Sequence, residues 1–520
     1  MDVVLVGAPG SGTRALGRDL ARRHGWLLVD VDAVAAAADP ADRGGPAGPW
    51  NVRSAVPRVF LADASLARPR LRHELYRERL VVWLDAPSGR LAARLRAAPI
   101  LLEGGARSAV PDLDAHRDAM AWYFGAGVRL DATRPTSDLV EEVHRLLASP
   151  PPAGTLVARA DTRAGLLALG DGIVARGVGD ALSGLRGERV VVITERGVWS
   201  ALGDRVSDVL RAANTQFDVV TIPAGERAKT LTAQVRALRQ LARLGLPRKG
   251  PIVAVGDDRI CDAATFTAGV YLRGVPMVMV PTTTLGQVDL AIGGKGSINL
   301  DLGRNLAGTF HQPVGIVLDV DLLRSEAPRQ RRAALAEALK YALLGDTELF
   351  ALVESVAREA RHSARAGDDV LLELVERCAL EKLRIVLADE RDLAGPRMAL
   401  NLGHTLSHAL EAATDYRLLH GEAVGYGLRA ALAIGVEVGV TPESLAERAG
   451  SILDRLRLGC DPVEVDIADV MARMAADKKR LRGRTRWVLA TGSDVVVRSD
   501  VPGGVVNEAV RVALLGRPLH

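Results

Sequence analysis

The sequence predicts an α/β protein built from three folded parts: an N-terminal three-layer α/β domain, a second α/β domain and a mainly α-helical domain. The chain has 520 residues, which is more than one hydrophobic core usually serves. Strand-like and helix-like patterns alternate near the N-terminus and again from Val190 onward, which is typical of parallel sheets covered by helices. After about Pro328 the pattern is helical as far as about Ala476.

Composition and charge narrow the range of partners. Hydrophobic residues make up 48% of the chain and charged residues 25%, as in ordinary globular proteins. The formal net charge is +4, without clustered basic runs, so we expect no nucleic-acid partner, whereas an anionic small substrate fits. Cys261, Cys378 and Cys460 stand alone, which argues against disulfides or a thiolate metal site. No apolar run reaches membrane-spanning length and no signal peptide is visible, so we expect a cytoplasmic protein without a membrane anchor.

A glycine-rich turn follows the first predicted strand. The N-terminal segment alternates strand, turn, helix and strand in MDVVLVGAPGSGTRALGRDLARRHGWLLVDVDAV. Gly7 and Gly12 have the P-loop spacing, in which backbone N–H groups surround a phosphate at a helix N-terminus. Thr13 and Arg14 stand where phosphoryl transfer needs a lysine and a Mg²⁺-binding hydroxyl. The loop can seat an anion but lacks the group that neutralises the transferring phosphoryl.

Residues 1–148 resemble shikimate kinase in this loop, in the acidic pair Asp30 and Asp32, and in the strand and helix of LVVWLDAPSGRLAARL. The resemblance implies a P-loop kinase-like domain. That family's Gly-Gly-Gly substrate loop is missing, since the chain reads HELYRERL there, and its lid arginine is replaced by Ala98. Arg117 is the residue nearest to a later substrate arginine of that family. We therefore expect an inactive domain that keeps the fold; the alternative is a second, phosphorylating activity.

A proline-rich stretch separates this domain from the rest. Three consecutive prolines, Pro150–Pro152, cannot continue a helix and hold the chain extended. We predict a linker over 149–155, an α/β domain over 156–327 and a helical domain over 328–505.

The second α/β domain has polar residues after its predicted strands, where ligands of parallel sheets bind. The predicted strands are Val190–Ile193, Phe217–Ile222, Ile252–Val255 and Met277–Val280, and the residues that follow them include Glu195, Glu226, Lys229, Gly256, Thr282 and Thr283. An acidic residue after an early strand, such as Glu195, can accept ribose hydroxyls. No G-x-G-x-x-G occurs here, so the pattern leaves NAD, another nucleotide and no nucleotide all open.

Two basic side chains follow in glycine-rich segments, and we expect both in loops. Lys295 comes after Gly293-Gly294, and Arg304 comes after Gly303. Glycines permit close backbone approach to a ligand, and both cations suit a phosphate or carboxylate. On these residues alone, ordinary lysine and arginine side chains in surface loops are the better explanation.

Three histidines lie close together in GPRMALNLGHTLSHALEAATDYRLLHGEAVGYG. His404 and His408 are four residues apart and share a helical face, and His420 opens the next apolar segment. With Glu337 as the carboxylate, they form a nitrogen and oxygen ligand set suited to catalytic Zn²⁺. Spacing alone leaves surface or core histidines as the alternative.

Residues 160–500 resemble 3-dehydroquinate synthase in several separated blocks that occur in that family's order. The blocks are VPTTTLGQVDLAIGGKGSIN, LAEALKY, KLRIVLADE, PRMALNLGHTLSHALE, HGEAV and Asp477-Lys478-Lys479. The resemblance implies an NAD-binding α/β domain followed by a helical metal-binding domain, with the active site between them, and a homodimer.

The resemblance also implies residue roles. The family's Zn²⁺ (or Co²⁺) ligands fall on Glu337, His404 and His420, so that His408 becomes a proton-handling residue on the substrate side. Substrate contacts fall on Asp289, Lys295, Arg304, Asn305, Lys340, Lys382, Arg397, Asn401 and one of Lys478 and Lys479, and Arg273 reaches the substrate phosphate of the neighbouring subunit. The NAD residues fall on Glu195, Glu226, Lys229, Gly256, Asp262, Thr282 and Thr283.

The implied reaction converts 3-deoxy-D-arabino-heptulosonate 7-phosphate to 3-dehydroquinate and phosphate, a step of the shikimate pathway. It proceeds by oxidation with NAD⁺, β-elimination of phosphate, reduction by NADH and aldol ring closure. Two departures stand out. Gly256-Asp257-Asp258 replaces three glycines, and carboxylates beside a pyrophosphate repel it, so that either the loop swings them outward or NAD binds more weakly. Arg304 replaces a lysine, which keeps the charge but changes the reach and geometry.

Two alternatives remain. One is another sugar phosphate cyclase of the same superfamily, against which Lys382, Asn401 and His408 argue by resemblance. The other is a non-catalytic nucleotide-binding protein, for which Asp257-Asp258 and the altered P-loop argue.

Overall fold

The computed structural model describes residues 1–9, 11–37, 56–62, 66, 68–77, 79–97, 120, 123, 127–148, 155–162, 165–185, 187–212, 215–300, 303–359, 368–393, 395–476 and 485–516. Ala98, Arg117, Lys478, Lys479 and nearly all of the predicted linker lie outside the described residues. The chain divides into two compact units, Met1–Thr162 with Leu166–Asp180, and Arg163–Gly165 with Ala181–His520.

The first unit contains a sheet of five parallel strands in the order β2-β3-β1-β4-β5. The strands of this sheet are β1 (Val3–Val6), β2 (Leu27–Asp30), β3 (Arg58–Ala62), β4 (Leu80–Asp85) and β5 (Val128–Asp131). Strands β6 (Thr155–Thr162) and β7 (Gly165–Asp171) come later in the chain and do not belong to this sheet. The helices of the first unit are α1 (Thr13–His24), α2 (Val31–Ala37), α3 (Pro69–Tyr76), α4 (Ser88–Ala97), α5 (Thr136–Ala148) and α6 (Val174–Ala181). The glycine-rich turn joins β1 to α1, and its last residue, Gly12, adopts a φ of 95°, which glycine tolerates best.

The second unit begins with five parallel strands in the order β14-β11-β10-β8-β9. They are β8 (Val190–Thr194), β9 (Phe217–Thr221), β10 (Ile252–Gly256), β11 (Met277–Pro281) and β14 (Gly315–Asp319). Three helices connect them, α7 (Arg196–Ala212), α8 (Leu231–Leu244) and α9 (Asp258–Val270). Every residue of β8, β10, β11 and β14 is buried, which is why these strands appear in the sequence as continuous apolar runs.

An antiparallel hairpin follows, where the sequence analysis expected loops. It consists of β12 (Lys295–Leu300) and β13 (Gly303–Phe310), with an irregularity between Ile298 and Leu300. Arg304 and Asn305 therefore lie on a strand, and Lys295 pairs with Phe310 across the hairpin. The prediction of loops here was wrong.

The remainder of the second unit is mainly helical. Its helices are α10 (Pro328–Ala342), α11 (Thr347–Glu359), α12 (Asp368–Ala388), α13 (His404–Ala413), α14 (His420–Glu437), α15 (Glu443–Leu456), α16 (Ile467–Ala476) and α17 (Gly503–Leu514), with the hairpin of β15 (Trp487–Ala490) and β16 (Val495–Arg498) before the last. A core of Leu406, Leu410, Tyr426, Trp487 and Val510 joins α13, α14, β15 and α17. Within the described residues, no helix combines the length and apolar character needed to span a bilayer.

Candidate active site

Three helices of the second unit place the predicted metal ligands together. Glu337 lies on α10, and His404 and His420 are the first residues of α13 and α14. Oε1 of Glu337 lies 3.3 Å from Nε2 of His404 and 3.2 Å from Nε2 of His420. Close helix packing makes this approach possible, since a Cβ on Gly421 would collide with the carbonyl oxygen of Ala333 on α10.

The environment of Glu337 fits a divalent cation. The residue is fully buried. Its Oε2 forms an ion pair with Lys340, but neither carboxylate oxygen accepts a hydrogen bond of normal geometry from the described residues. One ligand atom from each of Glu337, His404 and His420 lies within 4.8 Å of the others. Buried charges are usually paired or coordinate metals, and three protein ligands leave a position open for substrate.

The protonation states of Glu337 and His404 also suit a metal. Burial opposes a charge on Glu337, but Lys340 and His404 hold the pKa of its carboxyl well below the usual range. Burial lowers the pKa of His404, and its Nδ1 lies 3.1 Å from the carbonyl oxygen of Leu402. Nδ1 thus donates to that carbonyl, and the neutral ring presents Nε2 as a ligand atom.

The carboxylate of Glu411, a residue that sequence reasoning missed, orients the ring of His420. Burial would lower the pKa of His420, but Glu411 and Glu337 raise it to about 10. Nδ1 of His420 lies 3.4 Å from Oε1 of Glu411, and Nη1 of Arg304 donates to the same oxygen at 2.8 Å. Glu411 thereby fixes the ring so that Nε2 faces Glu337, a common partner arrangement for metal-ligating histidines.

We expect Glu411→Gln to weaken Zn²⁺ or Co²⁺ binding by about 10–100-fold, because it removes the charge that orients His420. Competition titration against a chelator measures the change. Glu373→Gln is the control, since Glu373 is also a buried glutamate and pairs with Arg377 at 3.2 Å on α12. Equal losses in both variants would contradict the role given to Glu411.

Beside the triad, a buried carboxylate joins two lysines. Oδ1 of Asp289 lies 3.3 Å from Nζ of Lys340 and 3.0 Å from Nζ of Lys382, and it accepts a hydrogen bond from the hydroxyl of Tyr341. Burial would raise the pKa of Asp289, but the two lysines hold it well below its usual range. Burial lowers the pKa of Lys382 to about 8. Sequence reasoning missed Tyr341, whose only signal is its position next to Lys340.

A second cluster of basic side chains lies near Gly293. Arg397 donates to the carbonyl oxygens of Glu390 at 2.7 Å and Gly293 at 3.0 Å, and Lys295 pairs with Asp392 at 2.8 Å. Both cations lie 5.9 Å from the ring centroid of Phe310. The structure thus brings Lys295 and Arg397 to one place, and both retain hydrogen-bonding capacity for an anion.

The remaining predicted substrate residues differ in their surroundings. His408 is exposed, with its ring centroid 5.3 Å from that of His404. Asn401 donates from Nδ2 to Sδ of Met398 at 3.4 Å. Arg273 is exposed on a turn with a φ of 65°, and among the described residues no hydrogen bond or ion pair connects it to this group.

The predicted cofactor residues form two polar clusters. In the first, Lys229 contacts Asp262 and Asn305, and Asp262 accepts hydrogen bonds from the backbone N–H and hydroxyl of Ser297 at 2.8 and 2.9 Å. In the second, Glu226 accepts from Nδ2 of Asn299 at 2.8 Å. The hairpin β12–β13 supplies Ser297, Asn299 and Asn305, which is why the missed hairpin matters for this site.

Glu226 also connects the predicted cofactor residues to the predicted metal ligands. It pairs with Nε of Arg259 at 3.1 Å and with Nη2 of Arg304, and Arg304 continues to Glu411. The planar guanidinium of Arg304 therefore bridges two carboxylates. The lysine that the resemblance places at this position has no such planar group of donors.

The other predicted cofactor residues lie at carboxyl ends of the parallel strands. Gly256 ends β10, and its carbonyl oxygen accepts the N–H of Thr282 at 2.9 Å. Thr283 accepts the N–H of Gly286 through Oγ1 at 3.1 Å. Glu195 follows β8 and accepts the N–H of Val198 at 2.9 Å. These residues lie along one edge of the sheet, the edge at which such sheets bind ligands.

Two family models match the chain. The model described as 3-dehydroquinate synthase N-terminal matches residues 219–333, and the one described as 3-dehydroquinate synthase C-terminal matches residues 334–480. The 3-dehydroquinate synthase of Cereibacter sphaeroides (strain ATCC 17029) is 36% identical over 362 residues, which are 67% of this chain and 95% of the relative. That of Symbiobacterium thermophilum is 38% identical over 331 residues, 62% of this chain and 91% of the relative.

Solved structures share the fold over about two thirds of the chain. The 2-epi-5-epi-valiolone synthase of Streptomyces hygroscopicus subsp. jinggangensis 5008, solved with NAD⁺ and Zn²⁺ bound, gives a TM-score of 0.62 at 25% identity and covers 68% of this chain and 98% of its own. A 2-deoxy-scyllo-inosose synthase complexed with carbaglucose-6-phosphate, NAD⁺ and Co²⁺ gives a TM-score of 0.59 at 22% identity, over 67% of this chain and 96% of its own.

Proposed function

The chain belongs to the 3-dehydroquinate synthase family, and we propose that it converts 3-deoxy-D-arabino-heptulosonate 7-phosphate to 3-dehydroquinate and phosphate. The observation that carries this proposal is the cluster of Glu337, His404 and His420 next to Lys340 and Lys382, which both pair with Asp289. A metal-binding carboxylate and a lysine pair suit a hydroxyl-bearing substrate that carries a phosphate and a carboxylate.

When bound, Zn²⁺ or Co²⁺ supplies Lewis-acid polarisation and NAD⁺ accepts and returns a hydride. The chain's own residues bind and orient the substrate. Burial would lower the pKa of Lys340, but Asp289 and Glu337 raise it, so this lysine stays cationic. Lys295 and Arg397 provide a separate cationic pair for the carboxylate or the phosphate. His408 is exposed near the triad and exchanges protons between the substrate and solvent.

The test is phosphate release from 3-deoxy-D-arabino-heptulosonate 7-phosphate by the metal-loaded chain with NAD⁺. We expect release that stops after chelation, without NAD⁺ and in the His404→Ala variant. Glucose 6-phosphate, which lacks a carboxylate, is the comparison substrate. Release from glucose 6-phosphate alone would replace the proposal by another sugar phosphate cyclase activity, and release from neither substrate would overturn it.

Lys382 makes substrate binding pH-dependent. Its folded-state pKa of about 8 lies below the usual lysine value of about 10.4, so its positive charge is lost as the pH rises through about 8. We expect the KM for the anionic substrate to rise above this pH, with kcat less affected. Steady-state assays from pH 6.5 to pH 9.5 (roughly the range that brackets this pKa) measure the change. Lys382→Arg stays charged throughout, and an equal rise in KM for this variant would refute the assignment.

For the first unit, we propose a P-loop kinase-like domain without kinase activity. The parallel sheet and the turn between β1 and α1 support the fold. The ion pair of Arg14 with Asp30 at 2.7 Å supports the loss of activity, because it engages the acidic residue expected to serve substrate or Mg²⁺. Phosphate transfer from ATP to shikimate by the full chain would contradict this proposal.

The homodimer and cytoplasmic location predicted from the sequence belong to the same proposal. The exposed position of Arg273 suits a residue that reaches a neighbouring subunit. Light scattering on the purified chain tests the dimer.

A further inference from the structure

Two acidic residues, Asp257 and Asp258, stand at the junction of β10 and α9, and their carboxylates are held inside the protein. Helix α9 begins at Asp258 because Asp257 caps it. Oδ1 of Asp257 accepts the N–H of Ile260 at 2.9 Å, and Asp258 is only 7% exposed. The two carboxylates therefore do not swing out into solvent.

One arginine compensates both carboxylates. Nη1 of Arg259 lies 3.4 Å from Oδ2 of Asp257 and 3.4 Å from Oδ1 of Asp258. Its Nε lies 3.1 Å from Oε1 of Glu226. The side chain of Arg259 remains 19% exposed, so part of the guanidinium is accessible while three acidic groups fix its position.

This segment is where a dinucleotide pyrophosphate is expected. In parallel α/β sheets the pyrophosphate lies at the N-terminus of the helix that follows a central strand, and β10 lies between β8 and β11. Here the capping carboxylate of Asp257 already takes the N–H of Ile260, and burial together with the charge of Asp258 raises the pKa of Asp257 to about 6. Backbone N–H groups alone do not account for pyrophosphate binding at such an end.

We propose that Arg259 contacts the NAD pyrophosphate through its guanidinium, and that Asp257 and Asp258 oppose cofactor binding, so that NAD affinity is set by the balance among these three side chains. The inference rests on the proposed function, which requires NAD. Arginine suits the role because its planar fork binds phosphate oxygens while other nitrogens stay paired to carboxylates.

The proposal predicts effects of opposite sign from neighbouring residues. Arg259→Gln weakens NAD⁺ binding by about tenfold or more, because it removes a charge-assisted phosphate contact. Asp258→Asn and Asp257→Ser each tighten binding by roughly three- to tenfold, because each removes one repelling charge. Serine at position 257 preserves an N-cap oxygen, so this variant separates the charge from the helix cap.

The measurement is the Kd for NAD⁺ by titration calorimetry on the full, metal-loaded chain, with ADP-ribose as a second ligand that keeps the pyrophosphate. Circular dichroism checks the fold of each variant, and Arg259→Lys, which keeps the charge but loses the fork, is the second arginine variant. We expect Arg259→Lys to fall between wild type and Arg259→Gln.

The outcomes separate this inference from the proposed function. NAD⁺ binding by wild type that is unchanged in both arginine variants overturns the role of Arg259 and leaves the synthase proposal intact. Weaker binding in the two aspartate variants overturns the opposition assigned to the acidic pair. An absence of NAD⁺ binding in wild type and in both aspartate variants overturns the cofactor requirement itself, and with it the proposed function.

Discussion

Replacing Glu337 by glutamine should remove metal-dependent phosphate release while leaving the fold intact. Glu337 is the only carboxylate in the triad with His404 and His420, and both of its oxygens lie buried without normal hydrogen bonds from the described residues. Glutamine keeps the shape but offers a neutral, weaker ligand. A catalytic metal contributes several kcal/mol of charge stabilisation, and about 4 kcal/mol corresponds to a rate loss of about 10³-fold.

The experiment compares metal content, turnover and thermal unfolding of wild type and Glu337→Gln. We expect a substoichiometric metal content and turnover reduced by about 10³-fold or more. Lys340 keeps its second partner, Asp289, and His420 keeps Glu411, so neither cation is left without an ion-pair partner. Wild-type metal content and turnover in the variant would remove Glu337 from the metal site.

Much of the sheet in the second unit could be predicted from the sequence, and physical reasons explain the exceptions. Each of the four predicted strands ends within one residue of the observed end of its strand, β8, β9, β10 or β11. Apolar runs flanked by turn residues have few other interpretations. The hairpin β12–β13 was missed because glycine and polar residues interrupt the alternation in KGSINLDLGRN. Sequence reasoning left Asp257 in the loop after β10, although aspartate is a favoured N-cap residue.

The candidate site was less accessible to sequence reasoning than the fold. The residue pattern offered Glu337 as a candidate ligand and the resemblance assigned it that role, and the structure brings it to His404 and His420, which are distant from it in sequence. Glu411 lies seven residues after His404 on α13, a spacing that indicates a shared helical face. That spacing does not reveal its partner, because the ring of His420 arrives from another helix. Pairings of this kind depend on tertiary packing and leave no local pattern.

The consequence of having Arg304 in place of the family's lysine could be recognised only from the structure. A lysine at this position offers one ammonium group, whereas Arg304 contacts Glu226 and Glu411 at the same time. One of these carboxylates belongs to the predicted cofactor residues, and the other orients His420. The substitution therefore preserves charge and adds a connection between the two halves of the site.

Asp289→Asn is the second substitution with a large expected effect, and it acts on stability. Asp289 compensates the charges of Lys340 and Lys382, which are both buried. Removing one partner of a buried ion pair costs about 3–5 kcal/mol, because the remaining charge is left uncompensated. Lys340 keeps Glu337, and Lys382 keeps the backbone oxygen of residue 289 at 2.7 Å. We therefore expect a loss of about 3 kcal/mol, at the lower end of this range.

The stability lost in the Asp289→Asn variant depends on pH. The pKa of Asp289 is lowered in the folded state, so its stabilisation is present above the unfolded value of about 3.9 and is lost as the pH falls through the folded value. Urea unfolding at pH 7 (roughly three units above that unfolded value), followed by circular dichroism and tryptophan fluorescence, measures the full difference.

A double variant decides whether uncompensated charge is the cause. Lys382→Met removes one of the two cations that Asp289 serves, while its apolar chain suits the buried position. If charge is the cause, Asp289→Asn should cost less stability in the Lys382→Met background than in wild type, by an interaction energy of about 1–2 kcal/mol. Additive losses would mean that the Tyr341 hydrogen bond and packing around Asp289, and not its charge, account for its contribution to the fold.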